Sequence, residues 1–186
     1  MSGNPKTSGK NFTTKTLVKM AMLIAISIVL VLLIHFPIFP MVSFLEYDPA
    51  DIPILIGAMA FGPVAGVILT VITAVIQGFT VSASSGVYGI IMHIVATLAL
   101  TLTSSIIYKS HRTLKGAIVS LVCGIAAMTI IMIPANMLIT PYFMGMSLSA
   151  LLPYMIWIIL FNLIKATINS VVTFLVYPRI SKFLKK

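Results

Sequence analysis

Long apolar runs separated by short polar stretches set the pattern of the chain. Residues 17–34 form the first run. Residues 52–79 form a second, interrupted by Gly62-Pro63, and runs over 87–108, 116–133 and 151–177 complete the series. An α-helix rises 1.5 Å per residue, so about 20 residues cross a hydrocarbon core of ~30 Å. Each run is therefore read as a membrane-crossing helix or a pair of them.

Composition agrees with that reading. The chain has 186 residues, 60% hydrophobic and 8% charged, against about 25% charged in an ordinary soluble domain. A net charge of +9 usually invites a nucleic-acid partner, but such a domain spreads its basic groups over a wet face. Here they are too few for the apolar mass around them, so no nucleic acid is expected. The single cysteine, Cys123, excludes an internal disulfide framework and reads as a small packing residue. The expected class is an all-α integral membrane protein, one membrane domain over 1–186.

The positions of the charges give a topology. Eleven of the twelve basic residues fall into three clusters: Lys6, Lys10, Lys15 and Lys19; Lys109, Arg112 and Lys115; Arg179, Lys182, Lys185 and Lys186. All three acids, Glu46, Asp48 and Asp51, lie in one stretch. Basic loops prefer the cytoplasmic side. If residues 52–79 were one helix, five spans would put the Lys109–Lys115 loop outside. If Gly62-Pro63 is a turn between two helices, there are six transmembrane helices, all three basic clusters are inside with both termini cytoplasmic, and the acidic loop is outside. The second helix, Asp51–Phe61, is then short: about 11 residues, or roughly 16 Å. It must tilt or lie beside irregular backbone buried in protein. The polar residues 1–15 read as a disordered cytoplasmic tail, and 35–51 as an outer lid loop stiffened by prolines. The start does not read as a cleaved secretory signal, because its apolar run is too long and no small-residue cleavage site precedes His35-Phe36-Pro37.

Lys165 is the one basic residue outside the clusters, near the middle of the last run. A lysine there costs ~2.5 kcal/mol or more on insertion scales and is a functional candidate by default. Asn162, Lys165 and Asn169 share one helix face by their spacing. Asn162 and Lys165 are candidate ligand groups, while Asn169, nearer the inner end, suits a polar bond to a neighbouring helix. No acid remains in the later spans, so a carbonyl, a hydroxyl, the outer acidic loop or a ligand oxygen must answer Lys165. Asn136 follows Pro134 at the outer end of the fifth span, where a helix break would point it to an outward cavity or let it cap the helix. Asp51 is placed to cap the short second helix, and Glu46 and Asp48 to accept hydroxyl donors or to be solvated. Phe44 and Tyr47 suit a flat ring or the membrane interface. Residues 80–86 and 136–150 read as the other outer loops, the first small and hydroxyl-rich, the second an apolar flap. His93 reads as a packed core residue rather than a metal ligand, and no metal site is expected.

No phosphate-binding G-x-x-x-x-G-K-[ST] loop, H-E-x-x-H or G-x-S-x-G occurs, so ATP-driven action by that route and the corresponding hydrolases are excluded. No catalytic residue is assigned. A self-sufficient ion-coupled carrier usually carries a buried carboxylate, and none exists beyond Asp51. An outward polar pocket without an engine implies a binding subunit that borrows energy from partners. Ala21-x-x-x-Ala25, a small-xxx-small pattern, offers a helix face for close docking in lipid.

The stretch Phe44-Leu45-Glu46-Tyr47-Asp48-Pro49-Ala50-Asp51-Ile52-Pro53-Ile54-Leu55, followed by Phe61-Gly62-Pro63-Val64-Ala65-Gly66, resembles the riboflavin-specific S components of energy-coupling factor (ECF) vitamin transporters. The resemblance covers essentially the whole chain, including Ala21-x-x-x-Ala25 and Asn162-x-x-Lys165. It implies a six-helix protein of the cell membrane that captures riboflavin from outside, with a transmembrane T component and two cytoplasmic ATPase subunits as partners. It implies that Ala21 and Ala25 dock on the T component, and that the ligand lies under the first outer loop against the fourth to sixth helices. Riboflavin would be a transported ligand and not a cofactor. Its uracil-like edge would meet Asn162, Asn136 and Lys165. Its rings would meet Phe44, Leu45, Tyr47 and Met137, and its ribityl hydroxyls Glu46, Asp48 and the backbone of Ser84 and Gly86. An S component for another vitamin, such as thiamine or folate, and an intramembrane lipid-modifying enzyme are the alternative readings.

Overall fold

The computed structural model describes residues 12–184. The expected disordered tail lies outside the described residues as far as residue 11. Its last part is helical, because Thr13 accepts a hydrogen bond from the Thr16 amide and starts α1, Thr14–Leu33. A segment with a two-residue antiparallel pairing, β1 (Phe36–Pro37) with β2 (Glu46–Tyr47), leads to α2, Asp51–Phe61. Then follow α3 (Pro63–Phe79), α4 (Gly86–Ser110), α5 (Leu114–Met144), the short α6 (Leu148–Leu151) and α7 (Met155–Leu184).

The Gly62-Pro63 break is a turn. Gly62 has φ 103°, open to a residue without Cβ, and ends α2, while Pro63 takes the first position of α3, where its missing N–H costs nothing. α2 is 11 residues long and is the centre of the bundle, with Ile54, Leu55, Ile56 and Met59 buried among Leu23, Leu69 and Leu100. It packs on α1, α3, α4 and α7. What makes so short a helix workable lies before it: Tyr47, Asp48, Pro49 and Ala50 are buried. The irregular segment enters the bundle, where it is bonded to α1 and α7. Backbone of this kind is tolerated at membrane depth only when protein surrounds and satisfies it. The Ser27 hydroxyl donates to the Ala50 carbonyl at 3.0 Å, and the Asn169 amide to the Asp48 carbonyl at 3.2 Å.

Four helical stretches, Thr14–Leu33, Ala83–Ser110, Leu114–Met144 and Leu148–Leu184, are long and apolar enough to cross a membrane, and Asp51–Phe61 and Pro63–Phe79 are shorter apolar helices. The outer surface is itself apolar: Leu33, Val87, Leu138 and Leu175 are among many exposed aliphatic side chains. Such a surface suits lipid rather than water. One end of the bundle gathers the start of α1, the ends of α2 and α4 and the end of α7. Lys19 Nζ donates to the Leu184 carbonyl at 2.7 Å, the Tyr177 hydroxyl to the Met59 carbonyl at 3.3 Å, and Tyr108 meets Tyr177 edge to face at 5.6 Å.

Three expectations are corrected. The fifth span does not break at Pro134: α5 runs 31 residues through Pro134 and Pro141 to a left-handed Gly145. A proline removes one helical hydrogen bond but does not end a helix whose sides are held by neighbours. Residues 136–144 are therefore helix and not loop, and Asn136 caps nothing. Its amide donates to the Met132 carbonyl at 2.8 Å. Residues 151–154 belong to the end of α6 and a 3-10 turn rather than to the last long helix, which extends instead to Leu184. Asp51 does not cap α2 with its side chain, which turns to Thr97 and Asn169.

Candidate functional site

A cavity opens between the segment before α2 and helices α4, α5 and α7. It holds about 930 Å³ of atom-free space counting its open mouth. The helical period sets its lining. On α5 the residues Met128, Met132, Asn136, Ile139, Thr140 and Phe143 recur every three or four positions, and on α7 Phe161, Asn162 and Lys165 share the inward face. α4 adds Tyr88, Met92 and His93, and the loop adds Phe44, Leu45, Glu46 and Asp48. Tyr88 and Phe143 meet at 5.9 Å.

The polar side of the cavity is a connected set. Lys165 Nζ lies 2.7 Å from Asp48 Oδ2, and both are buried. The Ala50 amide donates to Asp48 Oδ1 at 3.0 Å, and Gln77 Nε2 approaches Asp48 Oδ2 at 3.5 Å. The Tyr47 hydroxyl donates to Asn169 Oδ1 at 3.0 Å. The Asn169 amide group bonds the Asp48 carbonyl and, at 3.1 Å, Asp51 Oδ2. Thr97 donates to Asp51 Oδ1 at 2.6 Å and lies 3.4 Å from His93 Nε2. Lys165 and Asn169, one turn apart on α7, thus fasten the segment before α2 at two points.

This fastening has a measurable consequence. Asn169→Leu leaves the Tyr47 hydroxyl, the Asp48 carbonyl and one Asp51 oxygen short of a partner, each worth roughly 1–3 kcal/mol if buried unpaired. Limited proteolysis between Phe44 and Tyr47 should become faster and thermal unfolding should begin lower. An unchanged cleavage rate would mean that the Lys165–Asp48 pair alone holds the segment.

Of the residues singled out by sequence, Lys165, Asn162, Asn136, Glu46, Asp48, Leu45 and Phe44 line this cavity together. Asn162 and Asn136 each turn one amide donor to a carbonyl of their own helix at 2.8 Å, and Asn136 Oδ1 accepts from Thr140 at 3.0 Å. Tyr47, Ser84, Gly86 and Met137 are not among the lining residues. Tyr47 lies behind them against Asn169. Ser82, Ser85 and Gly89 line the cavity where Ser84 and Gly86 do not, and on α5 Asn136 takes the inward place beside Met137. His93 is a cavity residue rather than a packed core one. Gln77, 6% exposed, is also part of the wall, and its Oε1 has no partner among the described residues. Its only mark in the sequence is that it is the single amide of the apolar run 63–79. Ala21 and Ala25 are not among the lining residues and are exposed on α1.

Known proteins share this architecture. A family model described as "ECF transporter, substrate-specific component" matches residues 15–177. The chain is 33% identical over 181 residues to the riboflavin transporter FmnP of Bacillus subtilis (strain 168), covering 92% of this chain and 95% of that protein. It is 33% identical over 179 residues to the riboflavin transporter RibU of Staphylococcus aureus (strain TCH60), covering 92% and 93%. A solved structure, "Structure and mechanism of the S component of a bacterial ECF transporter", superposes with a TM-score of 0.81 at 32% identity, covering 92% of this chain and 98% of that one.

Proposed function

Because the chain belongs to the substrate-specific components of ECF transporters, and not to a family of enzymes, we propose that it captures riboflavin at the outer face of the cell membrane and delivers it inward with energy from ATP-hydrolysing partners. The carrying observation is the cavity itself: aromatic and aliphatic walls from Phe44, Met132, Phe143 and Phe161 beside a polar edge of Asn136, Asn162 and Lys165. A flat tricyclic ring with one uracil-like edge needs that pairing of surfaces. Two relatives are named as riboflavin transporters, which favours flavin over other vitamins.

In this reading Asn162, Asn136 and Lys165 meet the polar edge, and Phe44 and Leu45 cover the rings. The ribityl hydroxyls meet Glu46, Asp48 and the Ser82–Ser85 wall. Tyr47 positions the segment from behind. Residues 35–46, the part of the 35–51 loop that stays outside the bundle, form the lid, pinned by Phe39 on Trp157 with ring centroids 5.3 Å apart. Six helices cross the membrane, α2 together with the buried segment making the second crossing. The end that joins the start of α1 to the end of α7 carries Lys19, Lys109, Arg112, Lys115 and Lys182 and faces the cytoplasm, as the positive-inside rule requires. Ala21 and Ala25, flanking the middle of α1, meet a transmembrane T component, and two ATPase subunits complete the transporter.

Riboflavin fluorescence tests the ligand. Titration of the purified chain should quench added riboflavin with a saturable one-to-one end point, and quenching should survive an excess of thiamine or folate. Displacement by thiamine or folate, or no quenching at all, would overturn the assignment.

A further inference from the structure

We infer that the cleft between the start of α5 and the end of α7 binds the headgroup of an anionic phospholipid of the inner leaflet. The inference uses the membrane sidedness proposed above but not the identity of the transported ligand. The cleft holds about 680 Å³ of atom-free space counting its open mouth, and its walls include the aromatic side chains of Tyr108, Phe174 and Tyr177. Arg112, on the link from α4 to α5, and Lys182, on α7, both line it.

The protein has no side-chain anion to offer these two cations. Its three acids stand at 46, 48 and 51. Asp48 is taken by Lys165, Asp51 by Thr97 and Asn169, and Glu46 lines the outer cavity. Among the described residues neither Arg112 nor Lys182 has an ion pair. A cleft that holds two cations and no carboxylate is complementary to an external anion.

Its surroundings select a lipid as the source of that anion. Leu114, a lining residue, is 65% exposed, and Phe183, next to Lys182 on α7, is 74% exposed. Exposed apolar side chains thus lie directly beside the cations, which places the cleft where hydrocarbon gives way to headgroups. A phospholipid presents its phosphate at that depth while its acyl chain runs along the apolar wall, and basic pockets between helices on the cytoplasmic side suit such headgroups. A soluble phosphate would leave the aromatic wall uncovered.

The test uses the full-length chain, purified in detergent and offered equal amounts of phosphatidylglycerol and phosphatidylcholine, with retained lipid counted by native mass spectrometry. Wild type should retain phosphatidylglycerol at least about fivefold over phosphatidylcholine, and R112Q/K182Q should abolish that preference. K109Q/K115Q removes the same charge from residues outside the cleft lining, and should leave the preference within about twofold. Equal loss in both variants would show diffuse attraction and overturn the site, as would no preference in wild type. Retention of inorganic phosphate in place of lipid would also overturn it. So would loss of partner assembly in R112Q/K182Q with lipid retention intact, since the cleft would then be a protein-docking surface. Riboflavin quenching on the same samples reports folding, and its failure in wild type would count against the transport reading alone.

Discussion

Replacing Lys165 with methionine is expected to weaken riboflavin binding at least about a hundredfold, or about 2.8 kcal/mol at ~1.4 kcal/mol per tenfold change. Two losses combine. The ligand edge loses its ammonium donor, and Asp48 is left buried without its 2.7 Å partner. Breaking a buried pair from one side costs roughly 3–5 kcal/mol, because the remaining charge is uncompensated. The unpaired Asp48 should also loosen the segment before α2, so K165M should unfold at a lower temperature than wild type. D48N/K165M separates the two contributions. Removing both charges should restore most of the thermal stability, since the asparagine can still accept the Ala50 amide. Riboflavin affinity should stay low, because the donor is still missing. If affinity returned with stability, Lys165 would act only through the loop. If K165M alone bound riboflavin as well as wild type, the polar edge proposed for the ligand would be wrong.

Lys165 also shows what could be read from sequence and what could not. Its isolation in an apolar run marked it, and because every carboxylate side chain lies in one loop, that loop was a candidate partner. The structure supplies the choice of Asp48, which depends on the segment entering the bundle, a tertiary fact without a local signal. The short second helix and the Gly62-Pro63 turn were legible because glycine and proline punctuate a helix in a fixed way. Pro134 was misread for the converse reason. In a packed bundle the neighbours of α5 hold it across the missing bond, so the proline loses its meaning as a stop. Facing was the weakest element. Helices in this chain are apolar toward both the core and the exposed surface, so periodicity could not tell Ser85 from Ser84 or Asn136 from Met137 as the inward residue. His93 and Gln77 were hidden the same way, each a lone polar group whose neighbours across the bundle decide whether it is packed or presented.

Substituting both Ala21 and Ala25 with tryptophan is expected to reduce riboflavin uptake by cells to background while leaving binding by the isolated chain within about twofold, since neither side chain has a buried contact to lose. Both alanines are exposed one turn apart on α1, flanked by the exposed Val18, Met22, Ile26 and Val29. The flanking chains form ridges, and the alanines leave a shallow groove between them. In lipid, helix association lacks a hydrophobic drive and rests on close van der Waals approach, so a groove of small residues is where a partner helix gains most contact. Two indoles would fill the groove and hold the partner off, while remaining compatible with the lipid-facing surface. L33W serves as the control: Leu33 is 75% exposed on the same helix but at its far end, and its replacement should leave uptake intact. The outcomes separate cleanly. Uptake that persists in A21W/A25W would place the docking face elsewhere on the chain. Loss of binding together with uptake would show that the alanines serve the fold. Loss of uptake alone, with L33W active, would tie energy coupling to this face of α1 and leave the ligand cavity a separate device within the same bundle.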